Sequence, residues 1–113
     1  MRVAEPYTVE AIETIARAPG VLVREFTLAP GEEAPWHRHS HVSDRTYGLE
    51  GEVVVERRAP DQRQVLRPGG ACDVPAGVAH RVVNETAARA RYLLVQSGGA
   101  YDFKTEPAAP GEA

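Results

Sequence analysis

Between residues 21 and 97 the chain is cut into short apolar runs by proline and glycine, and this punctuation limits the fold more than any other feature. The runs read VLVREFTLA, TYGLE, EVVVERR, RQVLR, ACDVP, AHRVVN and RARYLLVQ. All but AHRVVN are followed within a few residues by a turn signal such as APG, PGG, AG or SGG. Strands at short, regular spacing with turns between them specify an all-β sandwich or barrel. Residues 8–18 (TVEAIETIARA) read differently. Val9, Ile12 and Ile15 recur every three residues, Thr8 is a candidate N-cap and Pro19-Gly20 a stop, so one short N-terminal helix is expected there. The expected division is an N-terminal segment over 1–20, a barrel over 21–103 and a loose tail over 104–113, whose KTEPAAPGEA carries little apolar surface. At 113 residues this is one domain.

The chemistry concentrates in four histidines. Three alternate in Trp36-His37-Arg38-His39-Ser40-His41 and the fourth is His80. On a strand, side chains two apart share a face, so His37 and His39 project together, about 7 Å apart along the chain. Asp44 follows just ahead of the next strand, and His80 opens another after Pro75-Ala76-Gly77. Three imidazoles and a carboxylate are a borderline ligand set. They suit one divalent iron, manganese, nickel, zinc or copper ion and do not suit calcium or magnesium.

These residues also carry a resemblance. Gly31, His37, His39, Asp44 and Gly51 stand at the gaps of the first cupin motif, G-x5-H-x-H-x3or4-E-x6-G, with aspartate in place of glutamate. Gly69, Pro75, Gly77, His80 and Asn84 match the second, G-x5-P-x-G-x2-H-x3-N, at every position. The chain therefore resembles a small single-domain cupin. That resemblance implies a double-stranded β-helix, or jelly roll, with one metal held by His37, His39, Asp44 and His80. Aspartate is one methylene shorter than glutamate. It either draws its strand towards the ion or stands behind the ligands.

Around this set, His41 is a candidate proton-handling neighbour and Tyr47 a candidate catalytic residue. Tyr92 and Tyr101 are further candidates for the cavity wall. Trp36 alternates away from His37, towards core or interface. Cys72 is expected to be a buried, inert thiol.

Two functions follow. One is a metal-dependent enzyme doing oxygenase, isomerase or cyclase chemistry on a small organic substrate at open metal positions. The other is a non-catalytic small-ligand or sugar-binding protein with a structural metal. A net charge of −3 disfavours nucleic acid and anionic membrane surfaces as partners. A single cysteine cannot form an internal disulfide, and Glu5, Glu10 and Glu13 interrupt the apolar stretch that a signal peptide needs, so a cytoplasmic setting is expected. A barrel this small leaves sheet edges to cover, and the resemblance also implies pairing, so a homodimer joined through Met1 to Leu28 is expected.

Overall fold

The structure, a computed structural model, describes residues 5–107. It contains ten strands: β1 (Ala11–Ala18), β2 (Val21–Leu28), β3 (Glu33–Arg38), β4 (Ser43–Glu50), β5 (Val53–Arg57), β6 (Gln62–Leu66), β7 (Ala71–Val74), β8 (His80–Val83), β9 (Ala90–Ser97) and β10 (Lys104–Thr105). They form two five-stranded antiparallel sheets, ordered β1-β2-β9-β4-β7 and β10-β3-β8-β5-β6. Sequence neighbours repeatedly fall in opposite sheets, as in a jelly roll.

Strict alternation builds the interior. On β2, Leu22, Arg24, Phe26 and Leu28 point inward, and on β9, Ala90, Tyr92, Leu94 and Gln96 do so. The apolar members meet Val53, Val55, Leu66, Val74 and Val82 from the strands opposite. Phe26 stacks on Tyr92 with ring centres 5.0 Å apart. Burying one such aromatic contributes on the order of 2–3 kcal/mol. The polar members Arg24 and Gln96 face the same interior, where they line a cavity beside Phe26 and Tyr92.

The expected N-terminal helix is a strand. Ala18 pairs with Val21, so Pro19-Gly20 is the two-residue loop of a hairpin and not a helix stop. Gly20, at φ 74°, takes the left-handed position that follows proline in a type II turn. The three-residue spacing misled because β1 carries a bulge between Thr14 and Ala16. The bulge breaks period two and leaves Ile15 53% exposed. At the other end, residues 104 and 105, expected in the tail, pair with Arg38 and His37. Glu106 continues the contact, its N–H donating to Trp36 O at 3.0 Å and its carboxylate accepting from Arg38 Nε at 2.6 Å. The rest of the expected tail, 108–113, lies outside the described residues, as does the start of the N-terminal segment. Among the described residues no helix is long and apolar enough to cross a membrane.

Candidate metal centre

His37 lies on β3 and His80 at the start of β8, in one sheet, and His39 lies just beyond the end of β3. Asp44 lies on β4 in the other sheet. The turns that deliver them are built locally. Pro75-Ala76-Gly77 reverses the chain before His80, with Gly77 at φ 83°, where a side chain would be strained. The Gly77 N–H donates to His39 O at 2.8 Å. Asn84, at the far end of β8, donates to Leu28 O at 3.0 Å and Ala88 O at 2.8 Å. Its Oδ1 accepts from the Thr86 N–H and hydroxyl, which fixes the exit of the strand that carries His80.

The four side chains are buried and their donor atoms lie within 4.8 Å of one another. Each imidazole is oriented by a main-chain carbonyl. Nδ1–H of His37 donates to Pro35 O at 2.5 Å, that of His39 to Asp102 O at 2.6 Å, and that of His80 to Val78 O at 2.9 Å. This turns all three Nε2 atoms towards the cavity, the orientation and second contact of metal-bound histidines. Nε2 of His80 is 2.9 Å and Nε2 of His39 3.4 Å from Asp44 Oδ2. Gln96 Nε2 donates to Asp44 Oδ1 at 3.0 Å. The donors thus fit one borderline divalent ion, with Asp44 Oδ2 facing the imidazoles and Oδ1 held by an amide.

Burial, reinforced by the neighbouring His80, pushes the pKa of His37 down to about 3. Burial also opposes a charge on His39, but its contacts with Asp44 and Asp102 prevail and raise its pKa. Burial likewise opposes the charge on Asp44, and the bonds from His39 and His80 outweigh it, holding the carboxyl well below the usual range. The centre is therefore anionic at Asp44 and neutral at His37, as a cation requires.

Residues ahead of β1 and between β9 and β10 roof the cavity. Phe103 lies flat on His37, ring centres 4.3 Å apart and planes 11° from parallel, and Tyr7 packs on Phe103 at 5.4 Å. Tyr101 stands 5.4 Å from His39. Inside, the free space for the centre of a water-sized sphere is about 10 Å³, room for roughly one water or ion. A larger groove, about 660 Å³, runs along the β1–β2 hairpin and residues 99–101 and does not contain the donor group.

The other sequence candidates fall as follows. Tyr92 and Tyr101 line the cavity. Tyr47 lies on the opposite face of β4 from Asp44, because it is three residues away. Its hydroxyl accepts from Arg45 Nε at 2.8 Å, outside the cavity. His41 is exposed on the turn before β4, close enough to Gly99 that a side chain there would meet its β-carbon. Trp36 faces outward under Arg58, whose guanidinium is 4.0 Å from the ring centre. Cys72 is partly buried, and burial pushes its thiol up to about 11, consistent with an unreactive group. Residues 98–103 (GGAYDF) read from the sequence as an aromatic tag closing one end of the barrel, and Tyr101 and Phe103 do so. Arg24, Gln96, Glu5 and Tyr7 do not stand out. For Arg24 and Gln96 a signal existed: each is a polar residue at an inward position of an otherwise apolar alternation.

Comparison with known proteins agrees with this geometry. The family model described as cupin domain matches residues 24–96, more than half of the chain. Germin-like protein 3-1 of Oryza sativa subsp. japonica is 37% identical over 109 residues, covering 86% of this chain, and the chain spans about half (48%) of that protein. Among solved structures, TT1209 from Thermus thermophilus is 33% identical with a TM-score of 0.73, over 80% of this chain and 84% of that one. An oxalate oxidase in complex with glycolate shares the fold at 18% identity and a TM-score of 0.73, over 84% of this chain and 54% of that one. With the family match spanning both motifs, and with three buried histidines and an aspartate converging inside a jelly roll, this chain belongs to the cupin family.

Proposed function

We propose that the protein is a metal-dependent enzyme acting on a small organic substrate, with oxygenase, isomerase or cyclase chemistry at the ion. The observation that carries this reading is the convergence of three carbonyl-oriented imidazoles and one carboxylate on a roofed cavity. Four protein donors leave one or two positions free on an ion that prefers five or six. Bound there, a divalent ion supplies Lewis acidity, a site where an oxygen-bearing substrate chelates, and a means of lowering the pKa of a coordinated group. The chain's own residues do the rest. Pro35, Asp102 and Val78 hold the imidazoles as Nε2 donors, Gln96 fixes the carboxylate, and Phe103, Tyr7 and Tyr101 exclude bulk water. The roof leaves room for about one water, so the substrate is small and enters when the roof segments part.

Replacing the native ion with cobalt(II) tests the reading, because the visible spectrum reports coordination number. Azide or acetohydroxamate should shift that spectrum saturably without stripping the metal. A spectrum indifferent to both indicates a closed coordination sphere and favours the non-catalytic binding protein. An oxygen-consumption screen over catechols, β-diketones and small hydroxy and keto acids then looks for turnover.

We propose in addition that two copies pair through the edge strand β1. All of its residues but Ile12 are exposed, and Ile15 is 53% exposed. An open, partly apolar edge of eight residues is a template for a further strand.

A further inference from the structure

One wall of the cavity is an arginine that the donor group does not use. Arg24 sits mid-strand on β2, between inward-facing Leu22 and Phe26, and is 1% exposed. A guanidinium stays ionised, so enclosing it requires acceptors aimed at it. Its Nη2 donates to Gln96 Oε1 at 3.1 Å, and its Nη1 donates to Oε1 of Glu5. The rings of Phe26 and Tyr101 lie 5.1 Å and 4.9 Å from its carbon centre. Glu5 Oε1 also accepts from the Tyr101 hydroxyl at 2.6 Å.

This buried ion pair is only half made. Oε2 of Glu5 and Nε of Arg24 are both enclosed with no hydrogen-bond partner among the described residues. A carboxylate that matches the guanidinium fork sets its two oxygens against two parallel N–H groups. Glu5 instead brings one oxygen to two donors and strands the other. It also reaches Arg24 from the segment ahead of β1, not from a barrel strand. A free carboxylate can lie in the plane of the guanidinium and satisfy the fork that Glu5 leaves incomplete.

We infer that Arg24, together with the Tyr101 hydroxyl, is the carboxylate-recognition point of this cavity, and that Glu5 is a tethered stand-in displaced by the carboxylate of a small ligand. The inference rests on the proposal above that the cavity takes a small organic molecule, and it names the class: short organic acids. The exchange preserves charge, since one buried anion leaves as another enters. A neutral ligand would leave Arg24 enclosed without an anion, so the device discriminates acids from their amides. Gln96 sets the length. This one side chain spans from Arg24 Nη2 to Asp44 Oδ1, so an acid lying beside it needs only a few atoms to bring a second oxygen to the donor group. Displacing Glu5 also loosens Tyr7, two residues along, which packs on Phe103 over His37. Ligand entry and opening of the roof are then one event.

The test is calorimetric titration of the full-length protein, zinc-loaded and metal-free, with lactate and with lactamide as its neutral counterpart. A tethered competitor acts at an effective concentration on the order of millimolar, so Glu5→Ala should tighten lactate binding by about tenfold or more. Lactamide binding should not change. Arg24→Met should abolish the preference for lactate over lactamide. If that variant does not fold, the ¹⁵N signal of Arg24 Nε–H in the parent serves instead: it should move with lactate and not with lactamide. Equal lactate affinity in the parent and Glu5→Ala, with full zinc content in both, overturns the inference and leaves the metal centre standing. A lactate preference in metal-free protein that cannot retain zinc supports the inference and removes the metal-dependent reading. An Arg24 signal unmoved at saturating lactate overturns it directly.

Discussion

The peptide N–H of Gly77 donates to the carbonyl of His39 across 2.8 Å. The turn that presents His80 is thereby clasped to the strand end that presents the other two imidazoles. The two histidine motifs, separate along the chain, are one structural unit in the barrel.

Metal content should follow the donor set. His37→Ala, His39→Ala and His80→Ala should each lower the bound metal sharply, since each removes one of three Nε2 donors from a buried group. Asp44→Glu should retain the ion and Asp44→Ala should weaken it less than a histidine variant. Metal analysis after dialysis against a weak chelator checks this, and full occupancy in two of the three histidine variants would refute the assignment.

Acid should destabilise the metal-free protein through His37. Its folded pKa, about 3, lies below the unfolded value of about 6.5, so below pH 6.5 the unfolded chain binds the proton more readily. Stability is then lost as pH falls, by about 1.4 kcal/mol per unit from this group until pH approaches 3. His39 acts with opposite sign. Its raised pKa contributes stability that is complete below about 6.5 and lost as pH rises through the folded value. Urea melts of metal-free parent and His37→Gln at pH 7.0 and 5.0 separate the two: the parent should lose more between these pH values than the variant.

Opening the roof should change rates more than affinities. Phe103→Ala removes the ring that covers His37 and the surface on which Tyr7 packs, while leaving every donor atom in place. Transfer of bound zinc to a strong chelator should accelerate by roughly tenfold in this variant, with little change in metal content, because local opening precedes release. Stopped-flow chelation gives the rate, and an unchanged rate would mean that the ion leaves by another path.

Asn84→Ala should destabilise the whole fold. The side chain is fully buried and ties Leu28, Thr86 and Ala88 together through four hydrogen bonds. Leaving such buried groups unpaired costs about 1–3 kcal/mol or more. Equilibrium urea unfolding reads the loss directly.

Light scattering of the parent at micromolar concentration should give twice 12.3 kDa, and Ile15→Lys on the exposed edge strand should shift it towards the single-chain value. A parent that is monomeric at that concentration contradicts pairing through β1.

Much of this architecture is legible in the chain. Proline and glycine punctuation places the barrel strands, and His37, His39, Asp44 and His80 stand out because metal chemistry needs side chains of those types on fixed faces. The misread region is instructive. Ile12 and Ile15 look helical together, yet a bulge puts Ile15 out of register, and only pairing with β2 reveals it. Arg24 and Gln96 escape notice because apolar alternation around them reads as core, and burial of a polar residue depends on a partner from elsewhere. For Arg24 that partner, Glu5, is 19 residues away along the chain. The roof is legible only in part: the aromatic segment 98–103 reads as closing the barrel, but its contact with Tyr7, from ahead of β1, appears only once the chain is folded.

The division of labour between the sheets has a consequence for how such a centre is tuned. One sheet supplies only imidazole nitrogen, and the other supplies the carboxylate with the amide and guanidinium behind it. A small slide of one sheet over the other would therefore lengthen the nitrogen contacts relative to the oxygen contact without moving any ligand on its own strand. That slide is governed by core side chains such as Leu28, Val53 and Leu66, which interlock the layers. The spacing between the nitrogen donors and the oxygen donor, which any bound ion would have to match, thus depends on that hydrophobic joint as well as on the donors themselves.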